Sequence, residues 1–117
     1  MTYYIYVLQC AGGTLYTGIT PELQKRMRQH CGELAGGAKY TRSHPPEALL
    51  QVWQTDGHTA AARFEYAFKG LSRQKKLALL EAPTQWQAFL PELCKDGSYL
   101  PAAHGTLESY LKQHKEK

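Results

Sequence analysis

The sequence has little cysteine: Cys10, Cys31 and Cys94 are all it carries. An odd count with no CxxC spacing gives neither a disulfide framework nor a thiolate zinc site. Buried reduced thiols are the expected state, which suits a reducing cytoplasm. Long apolar runs are also lacking, since no stretch approaches the ~20 residues that a membrane helix needs. Met1 leads straight into an aromatic segment without a basic leader, so no secretory signal is expected. There is no internal repeat and no low-complexity tract. A soluble cytoplasmic protein with no membrane partner is the expectation.

No charge of one sign dominates. Fourteen Lys and Arg stand against ten Asp and Glu, a net charge of +4 with a pI near 9.0. A surplus this mild is compatible with a polyanionic partner without demanding one. The 43% apolar and 21% charged content is that of a globular chain. A length of 117 residues suffices for one modest core.

Residues 3–9, YYIYVLQ, are aromatic and β-branched and predict a strand, with a second over residues 14–18, TLYTG. Gly12-Gly13 between them marks a hairpin turn. Thr20-Pro21-Glu22 opens a helix with Thr20 as N-cap and an apolar stripe of Leu23, Met27 and Leu34. A loop with Gly36-Gly37 and Pro45-Pro46 follows, then a third strand over residues 48–55 and a turn at Asp56-Gly57. A helix over 58–70 carries Ala61, Phe64, Phe68 and Leu71 on one stripe, and Ser72 N-caps a helix from Arg73 to about Glu81. Beyond Pro83 the pattern weakens. Trp86, Phe89, Leu90 and Leu93 suggest a short helix, Asp96-Gly97 and Pro101 are breakers, and residues 107–111 suggest a last helix before a solvated tail, KQHKEK. The order β-β-α-β-α-α predicts the α+β class: a small three-stranded antiparallel sheet flanked by helices, with a C-terminal helical extension. Residues 1–82 form the expected domain and 83–117 an extension packed on it, being too short for a core of its own.

Several residues have the chemistry for a site, each with a plainer alternative. Tyr6 and Tyr16 lie on consecutive strands, where they face each other or sit diagonally; tyrosine also favours strands for packing alone. Glu22, Arg26 and His30 share a helix face, which by default is solvated. Glu65 borders an apolar stripe, either as an ion-pair partner of Lys69 or as a functional acid. Lys39, Tyr40, Arg42 and His44 interleave bases with an aromatic, a pattern suited to phosphate and nucleobase contacts, in what is otherwise a mobile surface loop.

Together these segments resemble the GIY-YIG nucleases. Tyr4-Ile5-Tyr6 corresponds to the first triplet of that family and Tyr16-Thr17-Gly18 to the second. ITPELQKRMRQH resembles the family's helix in which an arginine precedes a histidine by four, which carries over to Arg26 and His30. ARFEYAFKGLS resembles the later helix whose glutamate is the metal ligand, which carries over to Glu65. The GAKYTR segment is similar to that of the small bacterial single-domain YhbQ-like group. The likeness runs from residue 3 to about 80. It departs at Tyr4, where the family has glycine, at Thr17, where it has isoleucine, and at Pro21, where an asparagine is common. Neither of the first two replacements removes a catalytic side chain.

The resemblance implies a metal-dependent phosphodiesterase acting on nucleic acid, DNA before RNA, with a place in DNA repair or processing. Tyr6 is then the favoured general base, Tyr16 positions water or substrate, and Arg26 stabilises developing charge. His30 shares the base role or binds phosphate, and Glu65 holds one Mg²⁺ or Mn²⁺. Such an ion prefers oxygen ligands and keeps several waters, so one carboxylate can suffice. The competing expectation is a nucleic-acid-binding or protein-interaction module that does not cut. A Cys-His hydrolase using Cys31 or Cys10 has no motif context.

Overall fold

The structure, a computed structural model, describes residues 1–95 and 97–111. Asp96 of the expected Asp96-Gly97 break and the KQHKEK tail lie outside the described residues. The long strand β1 (Thr2–Cys10) turns through a short 3-10 segment into β2 (Leu15–Thr20). Gly12 and Gly13 both take positive φ, 86° and 80°, in that turn, a conformation open to glycine and strained for other residues. Helices α1 (Leu23–His30) and α2 (Lys39–Ser43) precede β3 (Pro46–Asp56), and α3 (His58–Lys69) and α4 (Arg73–Glu81) follow it. The extension adds α5 (Trp86–Phe89), the strand β4 (Leu100–Pro101) and, among the described residues, three 3-10 turns, Pro83–Gln85, Pro91–Lys95 and Leu107–Tyr110.

The class is α+β as expected, but the sheet has four strands rather than three, all antiparallel, in the order β2-β1-β3-β4. The fourth comes from the extension, where Leu100 and Pro101 pair with Gln54 and Trp53. Pro101 is tolerated because β4 lies at the sheet edge, where a missing N–H costs no ladder bond on the open side.

Strand β1 sits second in the sheet and is buried on both faces, which explains its nearly continuous apolar run. Ile5 and Val7 point to one core with Trp53, Ala61, Phe64, Phe68, Leu79, Trp86, Leu93 and Tyr99. Tyr6, Leu8 and Cys10 point to the other, with Met27, Val52 and Leu107. The stripe of α3 packs as its spacing predicts, with the Phe64 ring 4.9 Å from those of both Trp53 and Tyr99. Ser72 caps α4 by accepting from the Lys75 N–H at 3.2 Å.

Four local expectations are corrected. Glu22, not Thr20, holds the N-cap position of α1; the Thr20 hydroxyl instead accepts from the Glu22 N–H at 3.0 Å, closing a turn just before the helix. Leu34 lies beyond α1, which ends at His30, and Gly32 turns the chain away with φ 83°. The Gly36–Pro46 segment is not all loop, since it contains α2. The helix expected over 107–111 is a 3-10 turn. Among the described residues, no helix is long and apolar enough to cross a membrane.

Candidate active site

The β1–β2 register sets the first part of the site. Tyr6 pairs with Gly18 and Leu8 with Tyr16, so the two tyrosines are diagonal neighbours on one face, with ring centroids 6.5 Å apart. Gly18 is a strand position without strain, and its lack of a side chain is what the site uses: a Cβ there would lie 2.6 Å from Cζ of the Tyr6 ring.

Helix α1 lies over this face and brings Arg26 and His30, one turn apart, to Tyr6. The Tyr6 hydroxyl is 2.6 Å from His30 Nε2, and Arg26 Nε donates to the same hydroxyl at 3.4 Å. Arg26 is itself aimed by Nη1, which donates to Gln29 Oε1 at 2.8 Å and to the Gly36 carbonyl at 2.9 Å. His30 is 4% exposed, which overturns the solvated-face alternative at that position. Its Nδ1 lies 3.0 Å from Thr41 Oγ1 on α2.

Aromatic rings extend this centre. Tyr16 meets His30 edge-on at 5.3 Å and stacks on Tyr40 at 5.7 Å, and Tyr40 stacks on His44 at 4.3 Å. Tyr40 also donates its hydroxyl to Thr14 Oγ1. Its ring is thus engaged on Tyr16 and His44 rather than free to receive a base.

Burial raises the Tyr6 phenol well above its ordinary range, although the Arg26 guanidinium works in the opposite direction. Burial, with Arg26 adding to it, lowers His30 to about 4. Both side chains are therefore neutral near pH 7.

Glu65 projects from α3, outside this hydrogen-bond network. It pairs with Lys69 at 3.1 Å and its side chain is 24% exposed. Its negative charge reaches Tyr6 as a minor contribution to the raised phenol pKa. Among the described residues, no three His, Cys, Asp or Glu side chains are grouped to cage a metal. A single accessible carboxylate fits a hard cation that keeps most of its waters and takes other oxygens from substrate. The Lys69 pair is no obstacle, because partly exposed ion pairs are worth at most ~1 kcal/mol. Lys39 and Arg42 are exposed on α2. A cleft of about 520 Å³ beside them is lined by Gln29, His30, Gly36, Thr41 and Arg42. A larger cleft of about 1010 Å³, with His58, Arg63, Tyr66, Glu92 and Lys95 on its walls, shares no residue with the Tyr6 network.

Sequence reasoning missed Thr41, Gln29 and the spacing role of Gly18. The last was present as the glycine of the second triplet. Gln29 sits three residues after Arg26, a spacing that signals contact on a helix. Nothing in the sequence singles out Thr41.

A model of the GIY-YIG catalytic domain matches residues 2–78. A UPF0213 protein of Halalkalibacterium halodurans is 40% identical over 80 residues, covering 68% of this chain and 83% of that protein. A UPF0213 protein of Streptococcus sanguinis is 43% identical over 82 residues, covering 70% and 92%. A solution structure of a UPF0213 protein from Bacillus halodurans aligns with TM-score 0.46 and 38% identity, covering 70% of this chain and 85% of that one. The names of these relatives state no activity.

Proposed function

The chain belongs to the GIY-YIG catalytic-domain family, and we propose that it is a nuclease that hydrolyses phosphodiester bonds with one Mg²⁺ or Mn²⁺ held by Glu65. The observation that carries this reading is the meeting of Tyr6, Arg26 and His30 within hydrogen-bond reach beneath α1. A phosphodiester resists hydrolysis because the nucleophile must approach an anion and a poor leaving alkoxide must depart. Arg26 is a permanent cation whose planar fork suits a non-bridging phosphate oxygen. Tyr6 offers an oxygen that can take a proton from water, and Tyr16 limits where that water can sit. The metal, when bound, supplies positive charge for the leaving oxygen. Burial has raised the Tyr6 pKa, so Tyr6 works as a neutral phenol that passes its proton on as it receives another.

DNA is placed before RNA as substrate. RNA carries a 2′-hydroxyl close to each phosphate and DNA does not. A site built to activate an external water supplies what DNA lacks. The proposed strand contacts are Lys39 and Arg42, exposed on α2 beside the cleft lined by Gln29, His30 and Thr41, with Tyr40 and His44 shaping that side through their stack. Residues 1–82 are proposed as the catalytic domain and 83–117 as an extension packed on it. Leu93 and Tyr99 share a core with Phe64, and Leu107 shares one with Met27, which supports this division.

The test is a cleavage screen over labelled single strands, duplexes, flaps and junctions of DNA and RNA, with Mg²⁺, Mn²⁺ or EDTA. Cleavage with metal and none in EDTA is expected. Binding without cleavage of any substrate would replace the proposal with a binding module. An absence of both would favour a protein-interaction domain.

A further inference from the structure

We propose that Thr41 is a positioning residue for this hydrolysis: it holds His30 as the Nδ1–H tautomer, so that His30 Nε2 receives the Tyr6 proton while the Tyr6 oxygen takes one from the attacking water. The proposal rests on the nuclease reading and adds a one-way proton path to it.

The path follows from counting donors and acceptors. Tyr6 is 1% exposed, and its hydroxyl meets two protein groups, Arg26 Nε and His30 Nε2. A guanidinium can only donate. Of these two groups only Nε2 can accept the phenol proton, and in the proposed arrangement it does so with its lone pair. With His30 neutral, its single N–H is on Nδ1. Nδ1 faces Thr41 Oγ1 at 3.0 Å, so that oxygen accepts. The threonine proton is left for the Ala38 carbonyl, 3.0 Å away, and a carbonyl can only accept. Each bond fixes the next, and the direction runs from Arg26 through Tyr6, His30 and Thr41 to Ala38. No buried side-chain N or O atom among the described residues lacks a partner.

The groups facing His30 are Arg26 from its own helix, Tyr6 from β1, Tyr16 from β2 and Thr41 from α2. None is an anion to offset the burial and the Arg26 charge that disfavour a lasting imidazolium, so a transient one depends on good hydrogen bonding. Thr41 is 2% exposed and supplies that bond. Binding the substrate phosphate at Arg26 would offset that cation's effect on His30.

The step balances as follows. One water O–H bond breaks as its proton moves to the Tyr6 oxygen, while the Tyr6 proton moves to His30 Nε2. The water oxygen pair forms the new bond to phosphorus, and the bond from phosphorus to the leaving oxygen breaks. That oxygen takes one proton from solvent, and His30 returns one through Tyr6, so the protein ends as it began.

Nitrogen-15 NMR of the histidine rings in the full-length chain reads the tautomer directly. The wild type should show His30 with Nδ1 protonated and Nε2 bare. Thr41→Val keeps the side-chain shape but removes the hydroxyl. It should shift His30 towards the other tautomer and lower kcat by on the order of 10- to 100-fold with little change in KM. Thr41→Ser should restore both. A wild-type His30 protonated on Nε2 would overturn the proposal without any variant, as would Thr41→Val with the tautomer and kcat unchanged. A Thr41-dependent tautomer in a protein that cuts no substrate would mean that the nuclease reading has failed and that the relay serves no hydrolysis.

Discussion

Gly18 stands directly opposite Tyr6 in the β1–β2 ladder, and the space its absent side chain leaves is occupied by the end of the tyrosine ring. The triplet glycine is therefore a matter of room rather than of backbone freedom. Gly18→Ala should force the buried ring aside and break its bond to His30. The expected outcome is a folded protein whose cleavage rate falls by roughly 10² or more, comparable to loss of a general base. Circular dichroism and a cleavage assay on the same preparation check it.

Arg26 is the charged group proposed to meet the phosphate. Removing a donor held ready for developing charge should cost ~10² or more in rate. Arg26→Lys should recover little of it, because Nε holds Tyr6 while Nη1 holds Gln29 and Gly36, and an ammonium cannot reproduce that fork. Lys25→Ala and Arg28→Ala are the controls, and a larger loss from either would contradict this placement of Arg26.

His30 makes stability depend on pH with a definite sign. Its folded-state pKa is lowered to about 4, whereas the unfolded chain titrates near the ordinary 6.5. Between these values the unfolded state binds the extra proton, so stability is intact above 6.5 and is lost as pH falls towards 4. The loss is about 3 kcal/mol at most. His30→Gln should flatten this part of a urea-melt series. In the cleavage assay, His30 protonation should not limit the rate until pH is well below 6.5.

The extension should carry stability. Trp86 is buried and meets Tyr99 edge-on at 5.0 Å, within the same core as Phe64. Trp86→Ala should cost ~3–5 kcal/mol, as for other large core truncations. A chain ending at residue 82 should melt lower still. An unchanged melting temperature in that truncation would make the extension a dispensable tail.

What the sequence disclosed was mostly local. The α3 stripe, the Ser72 cap and the Gly12-Gly13 turn each rest on a few neighbouring residues, and each is present in the structure. Strand β4 was hidden because two residues that include Pro101 have no period, and their pairing with Trp53 and Gln54 is set by distant chain. The burial of His30 was hidden for a related reason. Its helix face reads as polar, and only the strand tyrosines beneath and α2 above enclose it. Thr41 acquires its meaning from His30, eleven residues away, through a contact that no motif encodes. The family resemblance supplied Arg26, His30 and Glu65 as names, while their mutual geometry came from the fold.

Glu65 is the residue proposed to make this site a metal-dependent nuclease. Cleavage and binding of the preferred substrate should be measured side by side for wild type and Glu65→Ala, across a Mg²⁺ titration. Wild-type cleavage should rise with Mg²⁺ and stop in EDTA, and the Glu65→Ala protein should fold and still bind but not cut at any Mg²⁺ concentration. Full cleavage by Glu65→Ala, or wild-type cleavage that persists in EDTA, would contradict that role.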